Sequence, residues 1–357
     1  MNRLQEIDHK HEQLRALLEA RQADGIWLQR ARNLFWMTAG ADPTIPVDSE
    51  GGAYSILVTP DARTIFTNNI EATRLHAEDH LEDFGFRYRE FAWHQPETPQ
   101  GDGIISDMDA NVEAEMQQLR WVLTEGEQNR LRALGRDAAV AIDKAARVIH
   151  EGVTEFEIAS ILDREVRKRG GVAVVNLIGT DERISKFRHP LPTDKQLARY
   201  AMLVVCMRRG GLIVSATRFA HIGPAPDELH DKMRAITAID AAVMAASRPG
   251  RTLGEVFDDL LAAYDSHGVA DQWQYHHQGG LGGYIARERI ATPDDPTVLQ
   301  AGQMCAWNPS LVGAKSEDTI LINDNGFEIV TAHGVDWPTL EVNIDGQTVA
   351  RPGILEI

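Results

Sequence analysis

The chain has 357 residues, 43% hydrophobic and 25% charged, which is enough apolar material for a full core and excludes a disordered chain. Its 36 basic and 53 acidic residues leave a formal charge of −17, which speaks against a nucleic-acid partner because a phosphate backbone repels an acidic surface. It contains neither a signal-peptide core nor an apolar run of spanning length, so no membrane partner and a cytoplasmic location are expected.

The first 123 residues mix helix and strand signals. Leu14, Leu17 and Leu18 share one face of an opening amphipathic helix, and the short apolar runs 25–28, 33–40, 53–60 and 64–68 follow between polar turns. This alternation predicts an α/β layer. The polar stretch 93–103 reads as a surface loop. At Thr124 a new unit begins: "TEGE" is a capping box that opens a long helix to about His150. The expected domains are therefore 1–123 and 124–357.

An internal echo runs through the second domain. "EGVTEFEIASILDREVRKRGG" (151–171) and "PGRTLGEVFDDLLAAYDSHG" (249–268) both read G-x-T-x-x-E, then an amphipathic helix, then glycine. Each copy follows a long Ala-rich helix and precedes a strand-rich stretch. Such an order, occurring twice, predicts a duplicated α/β half with a site between two sheets.

Four clusters in this domain carry chemistry. His189 precedes a proline in "RISKFRHPLPT". The run "VVCMRRGGLIVSATR" (204–218) reads as a hairpin ending in Thr217 and Arg218. "QYHHQGGLGGYIARER" (274–289) offers His276, His277, four glycines, Arg287 and Glu288. "CAWNPSLVGAKSEDTILI" (305–322) offers Asn308 and Glu317. Cys206 and Cys305 lie in apolar runs and read as buried free thiols. Neither H-E-x-x-H nor C-x-x-C occurs, and adjacent histidines on a strand point to opposite faces, so His276 and His277 are not expected to share a metal. Glycines that let backbone approach closely fit the third cluster better than a dinucleotide loop does.

The order and spacing of these clusters resemble the pita-bread metallopeptidases, the family of methionine aminopeptidase, Xaa-Pro aminopeptidase, prolidase and creatinase. The resemblance covers nearly the whole chain. It implies an α/β (α+β) fold, with a creatinase-type N-terminal α/β domain followed by a pseudo-twofold pita-bread domain. It also implies a homodimer. Peptidases of this family hold two metals with two aspartates, a histidine and two glutamates. Carried over by position, the aspartates fall on Val204 and Ser215, the histidine on Gly280, and the glutamates on Asn308 and Glu317. A second family histidine falls on Arg287. Only Glu317 is kept, so neither a metal nor any other cofactor is expected.

The resemblance to creatinase, a metal-free hydrolase, assigns His189 as acid–base catalyst. A histidine suits that role because it titrates near neutral pH. Glu317, freed of metal, needs a positive partner. The expected reading gives that place to a cationic substrate, helped by Glu288. The blander one pairs Glu317 with Lys315 or an arginine. Arg218 and Arg287 are candidates for gripping a substrate carboxylate. Asn308 and Ser215 would orient substrate or water, and one of His276 and His277 would line the pocket. The resulting expectation is a metal-independent hydrolase that cleaves a C–N bond of a small cationic or zwitterionic molecule. Two rival readings are a catalytically silent peptide- or protein-binding module and a mono-metal peptidase or lyase using His276 or His277 with Glu317.

Overall fold

In the computed structural model, which describes residues 1–332, 336–344 and 346–357, the chain divides into two compact units, Met1–Glu127 and Gln128–Ile357. The division falls in the first turn of the helix Glu125–Ala146, which the Thr124–Glu127 capping box opens.

The first unit starts with the helix Arg3–Arg21. Asn2 and Gln5 cap it reciprocally, and it buries Ile7, Leu14 and Leu18. Five strands follow: β1 (Gly25–Arg30), β2 (Gly51–Thr59), β3 (Ala62–Asn68), β4 (Phe86–Phe91) and β5 (Ile104–Ser106), in the order β4-β3-β2-β1-β5. Tyr54, Ile56 and Val58 alternate inward along β2, as period-two burial of one face requires. The apolar run 33–40 lies in the helix Ala31–Met37 and the turn after it.

The second unit is built twice over one plan. The helices Glu155–Arg167 and Leu253–Ser266 both begin with a complete capping box, Thr154 with Glu157 and Thr252 with Glu255. Each is anchored alike. Thr154 bridges to Gln196 while Gly152 N–H donates to Leu197 O at 2.8 Å; Thr252 bridges to Val298 while Gly250 N–H donates to Leu299 O at 2.9 Å. The sequence echo is thus a structural repeat.

The first half carries β6 (Val172–Thr180), β7 (Tyr200–Arg209) and β8 (Leu212–His221). Gly210 and Gly211 both take positive φ, as a two-residue turn joining β7 to β8 needs. After the helix Asp227–Ala246, the second half carries β9 (Gly279–Gly282), β10 (Arg289–Ile290), β11 (Met304–Trp307), the short pair β12 (Ser310–Leu311) and β13 (Ala314–Lys315), then β14 (Asp318–Asn323) and β15 (Gly326–Ile329). A hairpin follows, β16 (Thr339–Ile344) with β17 (Gln347–Pro352). The last strand, β18 (Ile354–Glu356), pairs in parallel with β8, giving a β18-β8-β7-β6 sheet beside a β10-β9-β11-β14-β15 sheet. The two sheets meet where Thr217 N–H donates to Glu317 O at 3.0 Å and Ser215 N–H donates to Thr319 Oγ1 at 2.8 Å. Among the described residues, no helix is long and apolar enough to cross a membrane.

Candidate active site

A pocket of about 350 Å³ opens at this meeting of the sheets. Its floor follows from strand register. Val175 pairs with Cys206 and Leu177 with Val204, while Val204 pairs with Thr217 and Cys206 with Ser215. Directly paired residues share a face, so these six side chains lie on one side of the sheet. Val175, Leu177, Val204 and Leu191 give the pocket an apolar wall, and His189, His277, Arg287, Asn308, Lys315 and Glu317 give it a polar one.

Glu317 lies at the centre of the polar wall, only 2% exposed. Its Oε1 accepts from Arg287 Nη2 at 2.8 Å; its Oε2 meets Lys315 Nζ at 2.8 Å and accepts from Thr217 Oγ1 at 2.7 Å. Burial raises the carboxyl pKa, but the charges of Lys315 and Arg287, with hydrogen bonds from Lys315 and Thr217, outweigh it and bring the pKa down to about 2. The expectation of an unpaired acid awaiting a cationic substrate is therefore corrected. The protein's own cations occupy both oxygens, as the blander reading had it.

Three histidines gather at one side. Arg188 Nη2 donates to Gln272 Oε1 at 3.0 Å, tying the His189 segment to the turn before β9, and Nη1 donates to Leu311 O of β12. Gln278 holds that turn from within: its Nε2 donates to Trp273 O at 2.9 Å and its Oε1 accepts from Tyr264 Oη at 2.8 Å. His276 and His277 lie between the short helix Gln272–Tyr275 and β9, not on a strand. The rule that neighbours face opposite ways does not apply to them, and their rings are 4.6 Å apart. One nitrogen from each of His189, His276 and His277 lies within 4.8 Å of the others, which corrects the expectation that the pair diverges. His276 Nε2 stands 2.9 Å from His189 Nε2, so one ring donates a proton and the other accepts it. Burial first, then the Lys315 charge, lowers the pKa of His189; the same causes bring His276 to about 2. Burial and the Arg287 charge bring His277 to about 4. All three are neutral near pH 7.

The remaining candidates divide. Asn308 stands on the pocket wall, 2% exposed; its buried Oδ1 accepts no hydrogen bond and its Nδ2 donates none among the described residues. Arg287 reaches the pocket, and Nη1 also donates to Ser215 Oγ at 3.1 Å. Ser215 lies behind it, buried, with Cys206 Sγ 3.2 Å from its hydroxyl and no histidine or carboxylate bonded to that hydroxyl among the described residues. Cys206 and Cys305 are buried free thiols, and burial pushes the Cys206 thiol up and Cys305 up to about 12.

Two expectations are overturned. Arg218 follows Thr217 and so points to the other face of β8, where it ion-pairs with Asp318 Oδ1 at 2.9 Å and donates to Thr331 O at 3.0 Å; it does not reach the pocket. Glu288 folds back on its own loop, accepting from Tyr284 N–H at 3.1 Å, and is not on the pocket wall. The sequence reading missed the apolar wall and treated Lys315 only as a possible ion-pair partner. Period-two spacing along β6 and β7 was the available signal for that wall.

The residues do not fit a dinuclear metal centre. Val204 has no donor atom, and Glu317, the one retained carboxylate, is closed by two cations. At the histidine position, a Cβ added to Gly280 would lie 2.2 Å from Arg289 O.

Comparison with known proteins agrees with the fold. The description "Metallopeptidase family M24" matches residues 129–324, more than half of the chain, and "Creatinase/Prolidase N-terminal domain" matches residues 10–145. The chain belongs to metallopeptidase family M24. An uncharacterized peptidase of Staphylococcus aureus is 21% identical over 244 residues, covering 64% of this chain and 68% of that one. The prolidase of Pyrococcus horikoshii is 18% identical with a TM-score of 0.73, over 91% of this chain and 99% of that one. The N-terminal domain of the FACT complex subunit SPT16 from chickpea is 11% identical with a TM-score of 0.67, over 93% of this chain and 97% of that one.

Proposed function

We propose that the chain is a hydrolase of C–N bonds that works without the dinuclear metal centre of its family. The observation that carries this reading is the closure of Glu317 by Lys315 and Arg287, which puts two fixed cations on the carboxylate that would otherwise bind metal. Neutral His189 at the pocket mouth accepts a proton from water as the water oxygen bonds to the substrate carbon. The same proton then passes to the nitrogen as the C–N bond breaks. The Lys315 ammonium stabilises negative charge that develops on the carbon's other substituent atom, a part that metals play elsewhere as Lewis acids. We take the acting species to be the homodimer that the family resemblance implies, in the cytoplasm.

The test is hydrolysis of a panel of small amides and amidines by protein dialysed against a strong chelator, with its metal content measured. Turnover that survives at sub-stoichiometric metal supports the reading. Activity that vanishes with the metal and returns with it overturns it. One observation favours a second reading, a mono-metal hydrolase: the convergence of His189, His276 and His277. That reading requires one bound ion per chain, lost on His276→Ala. Absence of turnover together with stoichiometric peptide binding would favour a silent binding module instead.

A further inference from the structure

The polar wall is unbalanced in charge. Lys315 and Arg287 face a single acid, Glu317, and the remaining pocket-lining residues carry no second carboxylate. The histidines add no negative charge in either protonation state. The pocket therefore keeps one uncompensated positive charge in a buried setting, where Coulomb interactions are stronger than in water.

Its position is set by unused donors. Lys315 is 5% exposed and has three N–H donors, of which only the contact to Glu317 is taken among the described residues. Asn308 stands on the same wall, where Nδ2 has no partner among the described residues and supplies a further donor, while Oδ1 is buried and accepts no hydrogen bond. Facing both are the side chains of Val175, Leu177, Val204 and Leu191, the last 69% exposed at the rim.

We propose that this pocket is a carboxylate seat: Lys315 and Asn308 hold the carboxylate of a small monocarboxylate whose compact branched or cyclic apolar group lies on the Val175–Leu177–Val204 wall. The substrate class that follows is an acid carrying a neutral amide-type C–N bond, such as an N-acylated apolar amino acid. It is not a guanidine or a free amine, because a cation entering here meets Lys315 and Arg287 before it meets Glu317. A volume of about 350 Å³ suits a ligand of that size. This inference rests on the hydrolase reading above for the bond that is cleaved, but not for the binding.

Binding of non-reactive probes tests it directly. Isobutyrate and cyclopentanecarboxylate are titrated calorimetrically into the full chain at fixed ionic strength, beside isobutyramide, isobutylamine and guanidinium. Carboxylates are expected to bind about tenfold or more tighter than isobutyramide, the amount that a hydrogen bond to a charged group confers, and the two cations not at all. Lys315→Met is expected to weaken carboxylate binding by a similar factor. Asn308→Asp, which places a negative charge at the seat, does the same and serves if Lys315→Met does not fold. Cation binding equal to carboxylate binding, no carboxylate binding in the native chain, or carboxylate binding indifferent to both variants overturns the proposal. Lys315-dependent carboxylate binding without turnover of any amide overturns the hydrolase reading alone.

Discussion

Lys315 and Glu317, two residues apart in sequence, form a buried ion pair, with Nζ 2.8 Å from Oε2, on the wall of the pocket that His189 also lines. The carboxylate retained from a metal-binding family thereby acquires a lysine in place of an ion. Removing that lysine leaves Glu317, only 2% exposed, with the Arg287 charge and the Thr217 hydroxyl as its remaining partners. Lys315→Met is expected to cost about 3 kcal/mol, the range for breaking a buried pair. The double variant Lys315→Met, Glu317→Gln is expected to cost less than the single one, since it removes the stranded charge. Urea denaturation of the two variants checks this; equal or greater loss in the double variant contradicts it.

Much of the fold was legible because its signals are local. A capping box needs only a threonine and a glutamate three residues on, and all three boxes in the second domain's reading formed. The site was legible in part. The absence of donors at Val204 needs no structure to see. The embrace of Glu317 by Arg287 depends on how the β9–β10 loop folds, which spacing does not fix. His276 and His277 converge because they sit in a turn, where strand alternation does not hold. Arg218 is different, since the alternation that puts Ser215 and Thr217 on the pocket side already puts Arg218 on the other.

Acid should destabilise the chain before its carboxylates protonate. His276 and His277 titrate near 6.5 when unfolded but near 2 and 4 when folded. A group whose folded pKa is lowered gives stability that is complete above the unfolded pKa and is lost as pH falls toward the folded one. Below pH 6.5 each histidine therefore adds a slope of up to about 1.4 kcal/mol per pH unit. Glu317, at 4.5 unfolded and about 2 folded, adds its own loss only below 4.5. Denaturant midpoints between pH 7 and 4.5 are expected to fall steeply, and less steeply in His276→Asn. An unchanged slope in that variant means His276 is already solvated.

His189→Ala is expected to reduce kcat by about a hundredfold to ten-thousandfold on an amide substrate, the usual contribution of an acid–base group, while leaving the thermal midpoint within a degree or two. The lowered pKa of His189 puts the acid limb of the wild-type pH–rate profile below 6.5. That limb should be missing from the residual activity of the variant. Full activity in His189→Ala, or an unchanged limb, moves the proton to another group.

Arg218→Met separates scaffold from site. The guanidinium is 3% exposed and its partner Asp318 fully buried, with Arg351 Nη2 2.8 Å from the other Asp318 oxygen. Losing Arg218 leaves that carboxylate half paired and an unsatisfied acceptor at Thr331 O. The expected loss is about 2–3 kcal/mol, smaller than for Lys315 because Arg351 remains. Because Arg218 faces away from the pocket, carboxylate binding by the folded fraction and KM should be unchanged. A variant that is stable but binds carboxylate tenfold more weakly would restore Arg218 to the substrate. A variant that is destabilised yet binds normally fixes it as the clamp that holds β8 to β14, and so holds Thr217 in place against Glu317.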